Sequence, residues 1–327
     1  MNWMGKRVLV TGAGGFIGSH LTERLVELGA RVRALVHYRS DDSRGWLEQS
    51  TCKDSIEIVA GDVCDRDSVR RAVQDMDVVF HLAAVIAIPY SYQAPVTYVR
   101  TNIEGTFNVL MASREYEVKR VVHTSTSEVY GSAQAVPISE AHPLQGQSPY
   151  SASKIGADKM AEAFYCSYGV PVATVRPFNT FGPRQSTRAV IPTIITQCLA
   201  GKTIRLGSLT PTRDFNYVTD TVEGFVLAAD APEAVGRTVN IGSGREISIG
   251  DLVTTIAKLV DRPIAVQSDE PRLRPEKSEV MRLLADNSLS KSLLGWKSSV
   301  SLEQGLQATI DWFKDHLHHY RPGAYTL

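Results

Sequence analysis

Strand-like and helix-like runs alternate along the first half of this 327-residue chain, a glycine-rich turn follows the first strand, and the alternation loosens after Arg176. These three observations predict an α/β fold: a Rossmann doubly wound parallel sheet with a smaller C-terminal α/β substrate-binding lobe. The expected boundaries are residues 1–178 for the sheet domain, with a returning segment at about 215–245, and 179–327 for the lobe.

The strands are read at Arg7–Val10, Val32–Val36, Ile56–Ala60, Val78–His81, Val121–Thr124 and Val172–Arg176, each a short apolar run. Ile17–Leu28, Ser68–Gln74, Thr101–Glu115 and residues 149–168 have the period and length of helices. Strands so connected lie parallel, with helices on both faces of the sheet. Sites in such sheets lie beyond the carboxyl ends of the strands. After Arg176 helices are expected at 189–200, 219–230, 248–260 and 301–315, and the stretch Pro263–Pro275 reads as a surface loop.

Lysine plus arginine and aspartate plus glutamate both count 35, so zero net charge gives no reason to expect a nucleic acid partner. Cys52, Cys64, Cys166 and Cys198 are scattered without paired spacing, which supports neither a disulfide framework nor a zinc site. No metal is expected, and His316, His318 and His319 lack ligand spacing. Met1 to Arg7 runs directly into a strand, and no apolar run reaches the ~18 residues of a membrane span. A cytoplasmic protein without a membrane partner is the expectation.

Gly12, Gly15 and Gly18 fall at the first strand–helix junction, the context that a dinucleotide fingerprint requires. Gly12 permits the tight turn, Gly15 lets backbone N–H groups approach a pyrophosphate, and Gly18 allows close helix–strand packing. Phe16 and Ile17 open the helix whose N-terminus receives the phosphates. About twenty residues on, where an acid selects NAD, stand Arg39 and Ser40, which suit a 2′-phosphate and favour NADP over NAD. Asp41 and Asp42 keep that question open. Asp62, beside Val63, either accepts from the adenine amino group or caps the helix before Ser68.

Tyr150 and Lys154 stand four apart on one helical face, so an ammonium can sit under the phenol and favour its phenolate. Thr126-Ser127-Glu128 follows the fifth strand and adds a second base, Glu128. Two bases exceed what a plain alcohol oxidation needs.

Together Gly12–Gly18, His81-Leu-Ala-Ala84, Asn102-Ile-Glu-Gly-Thr106, Ser125–Gly131, Tyr150–Lys154, Arg176–Arg184 and Arg213–Asp220 resemble the extended short-chain dehydrogenase/reductases acting on nucleotide sugars. The resemblance runs from Arg7 to about Phe313. Thr126-Ser127-Glu128 looks most like the 4,6-dehydratase triad, in the Thr-Ser-Glu form of the GDP-mannose branch. Stretches such as Trp46-Leu-Glu48, Ala87–Tyr92 and Leu144–Tyr150 look similar to the N-acetylglucosamine 4,6-dehydratases of legionaminic-acid-type pathways, whose substrates are GDP- or UDP-linked.

The resemblance implies that Leu82, Ala83 and Ala84 line the cofactor. It implies that Pro89, Tyr90 and Ser91 face the hexose, that Asn179, Arg213, Arg272 and Arg274 face the diphosphate and ribose, and that the backbone of Val190 and Ile191 meets the base. In the implied cycle Tyr150 deprotonates the C4 hydroxyl, Thr126 orients it, and Glu128 takes the C5 proton before water leaves C6. Ser127 occupies the place of an acid and can only relay a proton or position a water. A UDP-glucuronate decarboxylase, a C4 epimerase and a nonenzymatic nucleotide sensor are the rival readings. Relatives commonly pair as homodimers through helices matching residues 101–115 and 155–166, where Phe107, Leu110, Met111, Ile155, Met160 and Phe164 are apolar.

Overall fold

A computed structural model describes residues 1–201 and 203–324. The chain opens with β1 (Arg7–Thr11), α1 (Phe16–Glu27), β2 (Arg31–His37), β3 (Ile56–Gly61), α2 (Arg66–Val73) and β4 (Val78–His81). Next come α3 (Ile88–Gln93), α4 (Pro95–Tyr98), α5 (Gly105–Glu115), β5 (Arg120–Thr124), α6 (Pro149–Tyr168) and β6 (Val172–Pro177). Beyond them lie β7 (Asn179–Phe181), α7 (Val190–Ala200), β8 (Thr203–Leu206), β9 (Thr212–Arg213), β10 (Phe215–Tyr217) and α8 (Val218–Asp230). The chain finishes with β11 (Thr238–Ile241), β12 (Ile247–Ser248), α9 (Ile249–Val260), β13 (Ala265–Ser268), β14 (Arg282–Leu283), α10 (Ser288–Leu294) and α11 (Leu302–His316).

Seven parallel strands form one sheet in the order β11-β6-β5-β4-β1-β2-β3. Val8, Leu9 and Val10 are all fully buried, because a central parallel strand is covered on both faces and has no solvent side to alternate with. Leu21, Leu25, Phe225 and Trp296 pack in the layer on one face. Val109, Leu110, Ala161 and Phe164 pack in the layer on the other. A further core of Ile194, Leu252, Ile310 and Phe313 holds the smaller lobe, which contains three small sheets among the described residues. The chain returns to the main sheet at β11, which pairs with β6.

Register brings the strand ends into line: Thr11 lies opposite His81, and His81 opposite His123. At the start of α6, Ser148 and Ser151 close a capping box, Pro149 occupies the first turn, and Gly169 ends the helix in the left-handed region at φ +68°. The helix bearing Tyr150 and Lys154 is therefore fixed at both ends.

Two elements differ from the sequence reading. Within Pro263–Pro275, Ala265–Ser268 is a strand, β13, paired in parallel with β8. All four of its residues are exposed, so no apolar pattern marks it. The helix expected over Thr101–Glu115 is α-helical only from Gly105; Val99–Glu104 is a π-helical segment. There the Asn102 side chain turns away to bond both backbone groups of Val85. No helix among the described residues is long and apolar enough to cross a membrane.

Candidate active site

The glycine turn is tight because the protein's own backbone fills it. A Cβ on Gly12, at φ +69°, would lie 2.8 Å from the Ala83 nitrogen, and one on Gly18 would lie 2.2 Å from the Gly12 carbonyl oxygen. A Cβ on Gly15 would press on that oxygen alone, at 3.2 Å, a milder crowding than at Gly12 or Gly18. Helix α1 has no side-chain cap and no acidic residue in its first turn, which suits an anionic pyrophosphate at Phe16, Ile17 and Gly18. The Thr11 hydroxyl accepts from the Leu82 and Ala83 amides at 3.1 Å each, fixing the chain through Ala84 beside the turn. The residues present fit a dinucleotide.

Arg39 donates to both carboxylate oxygens of Asp41, at 3.1 and 2.9 Å, and this pairing holds the Asp41 carboxyl below its usual range. The guanidinium next to Ser40 is thus engaged by its own loop. Asp65, not Asp62, caps α2, accepting from the Asp67 and Ser68 amides. Asp62 accepts from the Cys64 amide at 2.8 Å and stands at the end of β3, while Val63 is buried.

Thr126 caps a short 3-10 turn, Ser127–Tyr130, and its hydroxyl accepts from the Glu128 amide at 3.3 Å. Tyr150 reaches the same place from the first turn of α6, where its phenol lies near the Thr126 hydroxyl and feels the Glu128 charge. Thr126, Glu128, Tyr150 and Lys154 are therefore together, with Ser127 buried beside them.

Lys154 donates to the Thr124 carbonyl at 2.5 Å, which fixes its ammonium at the end of β5. Burial pushes the Tyr150 phenol well above its ordinary value, and the neighbouring Glu128 charge adds to that push. Burial also pulls the Lys154 ammonium down to about 8, opposed by Asp158.

The smaller lobe contributes arginines. Arg274 Nη1 lies 3.9 Å from Glu128 Oε2 and 3.9 Å from Glu279 Oε1, buried but without a hydrogen-bond acceptor. Arg213, itself buried, donates to the Thr212 carbonyl at 2.9 Å and to Glu279 at 3.4 Å. The Asn179 side-chain oxygen is buried without a donor close by. Arg272 bonds Asp269 at 2.8 Å. The loop carrying Arg272, Arg274 and Glu279 is pinned across the cleft by Tyr92 to Ser278 and by Gln147 to the Lys277 carbonyl.

Other substrate residues are placed less directly. Ser91 is fully buried and donates to the Ile88 carbonyl at 2.6 Å, so it is turned from the cleft and leaves Pro89 and Tyr90 as the accessible pair. Ile191 is in the lobe core and Val190 packs on it, so only their backbone, at the uncapped start of α7, can meet a base. Sequence reasoning missed Tyr98, whose ring packs edge-on against Tyr150 at 6.2 Å, and Glu279. It also missed Asp158, although that residue sits one turn beyond Lys154.

Residues 9–309 match the family model described as GDP-mannose 4,6 dehydratase. A UDP-glucose 4-epimerase of Mycolicibacterium smegmatis is 34% identical over 94% of this chain and 99% of its own length. UDP-glucuronic acid decarboxylase 1 of Xenopus tropicalis is 32% identical over 98% of this chain and 75% of its own. The crystal structure of DesIV, a dTDP-glucose 4,6-dehydratase from Streptomyces venezuelae with NAD bound, superposes with a TM-score of 0.87 at 29% identity, covering 96% of this chain and 99% of that one. The chain belongs to the GDP-mannose 4,6 dehydratase family of extended short-chain dehydrogenase/reductases, NAD-dependent enzymes that dehydrate, epimerise or decarboxylate nucleotide sugars.

Proposed function

We infer that this enzyme is a nucleotide-sugar 4,6-dehydratase, acting on GDP- or UDP-linked N-acetylglucosamine to give the 4-keto-6-deoxy sugar. The observation carrying this reading is the placement of Glu128 beside the Thr126–Tyr150 pair, which supplies a second base where C4 epimerisation needs only one. A nicotinamide dinucleotide held by Gly12, Gly15 and Gly18 supplies reversible hydride transfer at C4 and C6. The engagement of Arg39 by Asp41 supports NAD over the NADP that the sequence favoured.

Tyr150 receives the C4 hydroxyl proton, with the Thr126 hydroxyl orienting that oxygen. A ketone at C4 acidifies the C5 hydrogen, and Glu128 removes it. The same carboxyl, now protonated, returns that proton to the departing C6 hydroxyl as water, since Ser127 is a poor acid; as C6 is reduced, C5 regains a proton from solvent, and Tyr150 gives its proton back to solvent. Arg213 and Arg274 balance the diphosphate charge. We further infer a homodimer through α5 and α6, where Phe107 is exposed, and a cytoplasmic location.

One observation favours the decarboxylase reading: Arg274 Nη1, buried without an acceptor near Glu128, is the kind of cation a uronate carboxylate would meet. Incubation with UDP- and GDP-linked N-acetylglucosamine and with UDP-glucuronate, followed by mass spectrometry, separates the two. Loss of water from an N-acetylglucosamine substrate supports the dehydratase; loss of carbon dioxide from the uronate, with no dehydration, overturns it.

A further inference from the structure

The chain buries a charged cluster directly behind the catalytic face of α6. Asp158 is one helical turn beyond Lys154, and its two oxygens collect four donor contacts from β5, the residue after it, and β6. His123 Nε2 lies 3.0 Å from one oxygen. Ser125 Oγ at 2.6 Å and Arg176 at 3.2 and 2.9 Å share the other. Arg176 extends the cluster to the Tyr130 hydroxyl at 3.0 Å, and Tyr130 donates to Asn240 at 2.7 Å. His123, Tyr130 and Asn240 are fully buried, and Lys154, Asp158 and Arg176 nearly so.

A buried lysine loses its charge unless an anion compensates the lost hydration. The titratable groups around Lys154 are His81 on β4, His123 on β5 and Asp158 on α6, with Tyr150 one turn before it on the same helix and Arg176 on β6 reached through Asp158. Burial depresses both histidines, His81 strongly, so neither adds a full charge. Arg176 is a second cation in the same pocket. Asp158 is the anion of this cluster, paired with Arg176 and one helical turn from Lys154, and its donors hold it ionised with its carboxyl down at about 2.

We propose that Asp158 is a positioning residue for the reaction: clamped by His123, Ser125 and Arg176, it keeps the Lys154 side chain as an ammonium facing the strand ends and thereby keeps that lysine competent to assist Tyr150. A stabilising pair of Asp158 with Arg176 alone would need neither His123 nor Ser125, and would not need the carboxylate on the lysine's own helical face. The inference rests on the reading that Lys154 serves Tyr150.

The test is the pH profile of kcat/KM for the full-length enzyme with its nucleotide-sugar substrate and NAD, alongside NAD affinity. Lys154→Arg, which stays cationic, identifies the descending limb by abolishing it. Asp158→Asn is expected to move that limb to lower pH by about one unit or more, about a tenfold loss at a fixed pH on the limb, with NAD affinity unchanged. Removing the anion also favours the Tyr150 phenolate directly, so the descending limb, not the ascending one, is the readout. Asp158→Glu keeps the charge and is expected to keep the wild-type limb even if the asparagine variant fails to fold. An unmoved limb in Asp158→Asn, or one displaced in Asp158→Glu, overturns the role of Asp158 while leaving the site intact. A descending limb that persists in Lys154→Arg overturns the reading of Lys154 and the inference with it.

Discussion

Replacing Glu128 by glutamine separates elimination from everything that precedes it. The substitution keeps the shape of the side chain and the Glu128 amide bond to Thr126, and deletes one charge. That charge lies 3.9 Å from Arg274 Nη1, with side-chain exposures of 13% and 26% for the two residues. At an effective dielectric of 20 the bare attraction is about 4 kcal/mol, but desolvation and partial exposure reduce such a pair to ~1 kcal/mol or less. Glu279, equally distant from Arg274, still compensates the guanidinium. The expected stability loss is thus about 1 kcal/mol, a shift in Tm of only a few degrees. A missing general base, by contrast, costs about 10²–10⁴ in rate, or about 3–5 kcal/mol. The variant should therefore fold, bind NAD and oxidise C4, yet fail to release water or to exchange the C5 hydrogen with deuterated solvent. Product mass and C5 deuterium content read both steps. Water loss at the wild-type rate would refute the assignment of Glu128.

Tyr150→Phe removes the proton acceptor for C4, so kcat should fall about 10²-fold or more with Tm nearly unchanged; single-turnover oxidation measures it. Gly18→Ala puts a Cβ 2.2 Å from the Gly12 oxygen, and the forced backbone shift should cost about 1–3 kcal/mol, lowering Tm and NAD affinity together. Gly15→Ala, whose Cβ meets that oxygen at a milder 3.2 Å, should lose NAD affinity with a smaller fall in Tm; calorimetry distinguishes the pair. His20 donates to the Pro183 carbonyl, and its pKa falls from 6.5 to about 4, with burial the main cause and Arg184 adding to it. Because the fold prefers the neutral ring, this stabilisation is complete above pH 6.5 and is lost as pH falls toward 4. It amounts to about 2 kcal/mol once partial exposure is allowed for. His20→Gln should flatten that part of the denaturation profile, and an unchanged slope would count against it.

The six strands read from sequence are legible because central parallel strands are apolar on both faces, as Val8–Val10 show. Strands of the smaller lobe carry no such mark: β9, β12 and β14 have two residues each and exist only through their pairing with one another. Ala265–Ser268 is wholly exposed and reads as loop for the same reason. In the site, spacing places Tyr150 and Lys154 on one face, but it does not say where a flexible ammonium points. That choice belongs to the Thr124 carbonyl, contributed from 30 residues away. Spacing also puts Asp158 on the same face, at the next step of four. Its meaning stays hidden in one dimension, because an aspartate on a helix is ordinarily a solvated group. Only when β5 and β6 bring His123 and Arg176 against it does it become a buried anion, and then its place one turn from a buried lysine acquires a consequence for the chemistry.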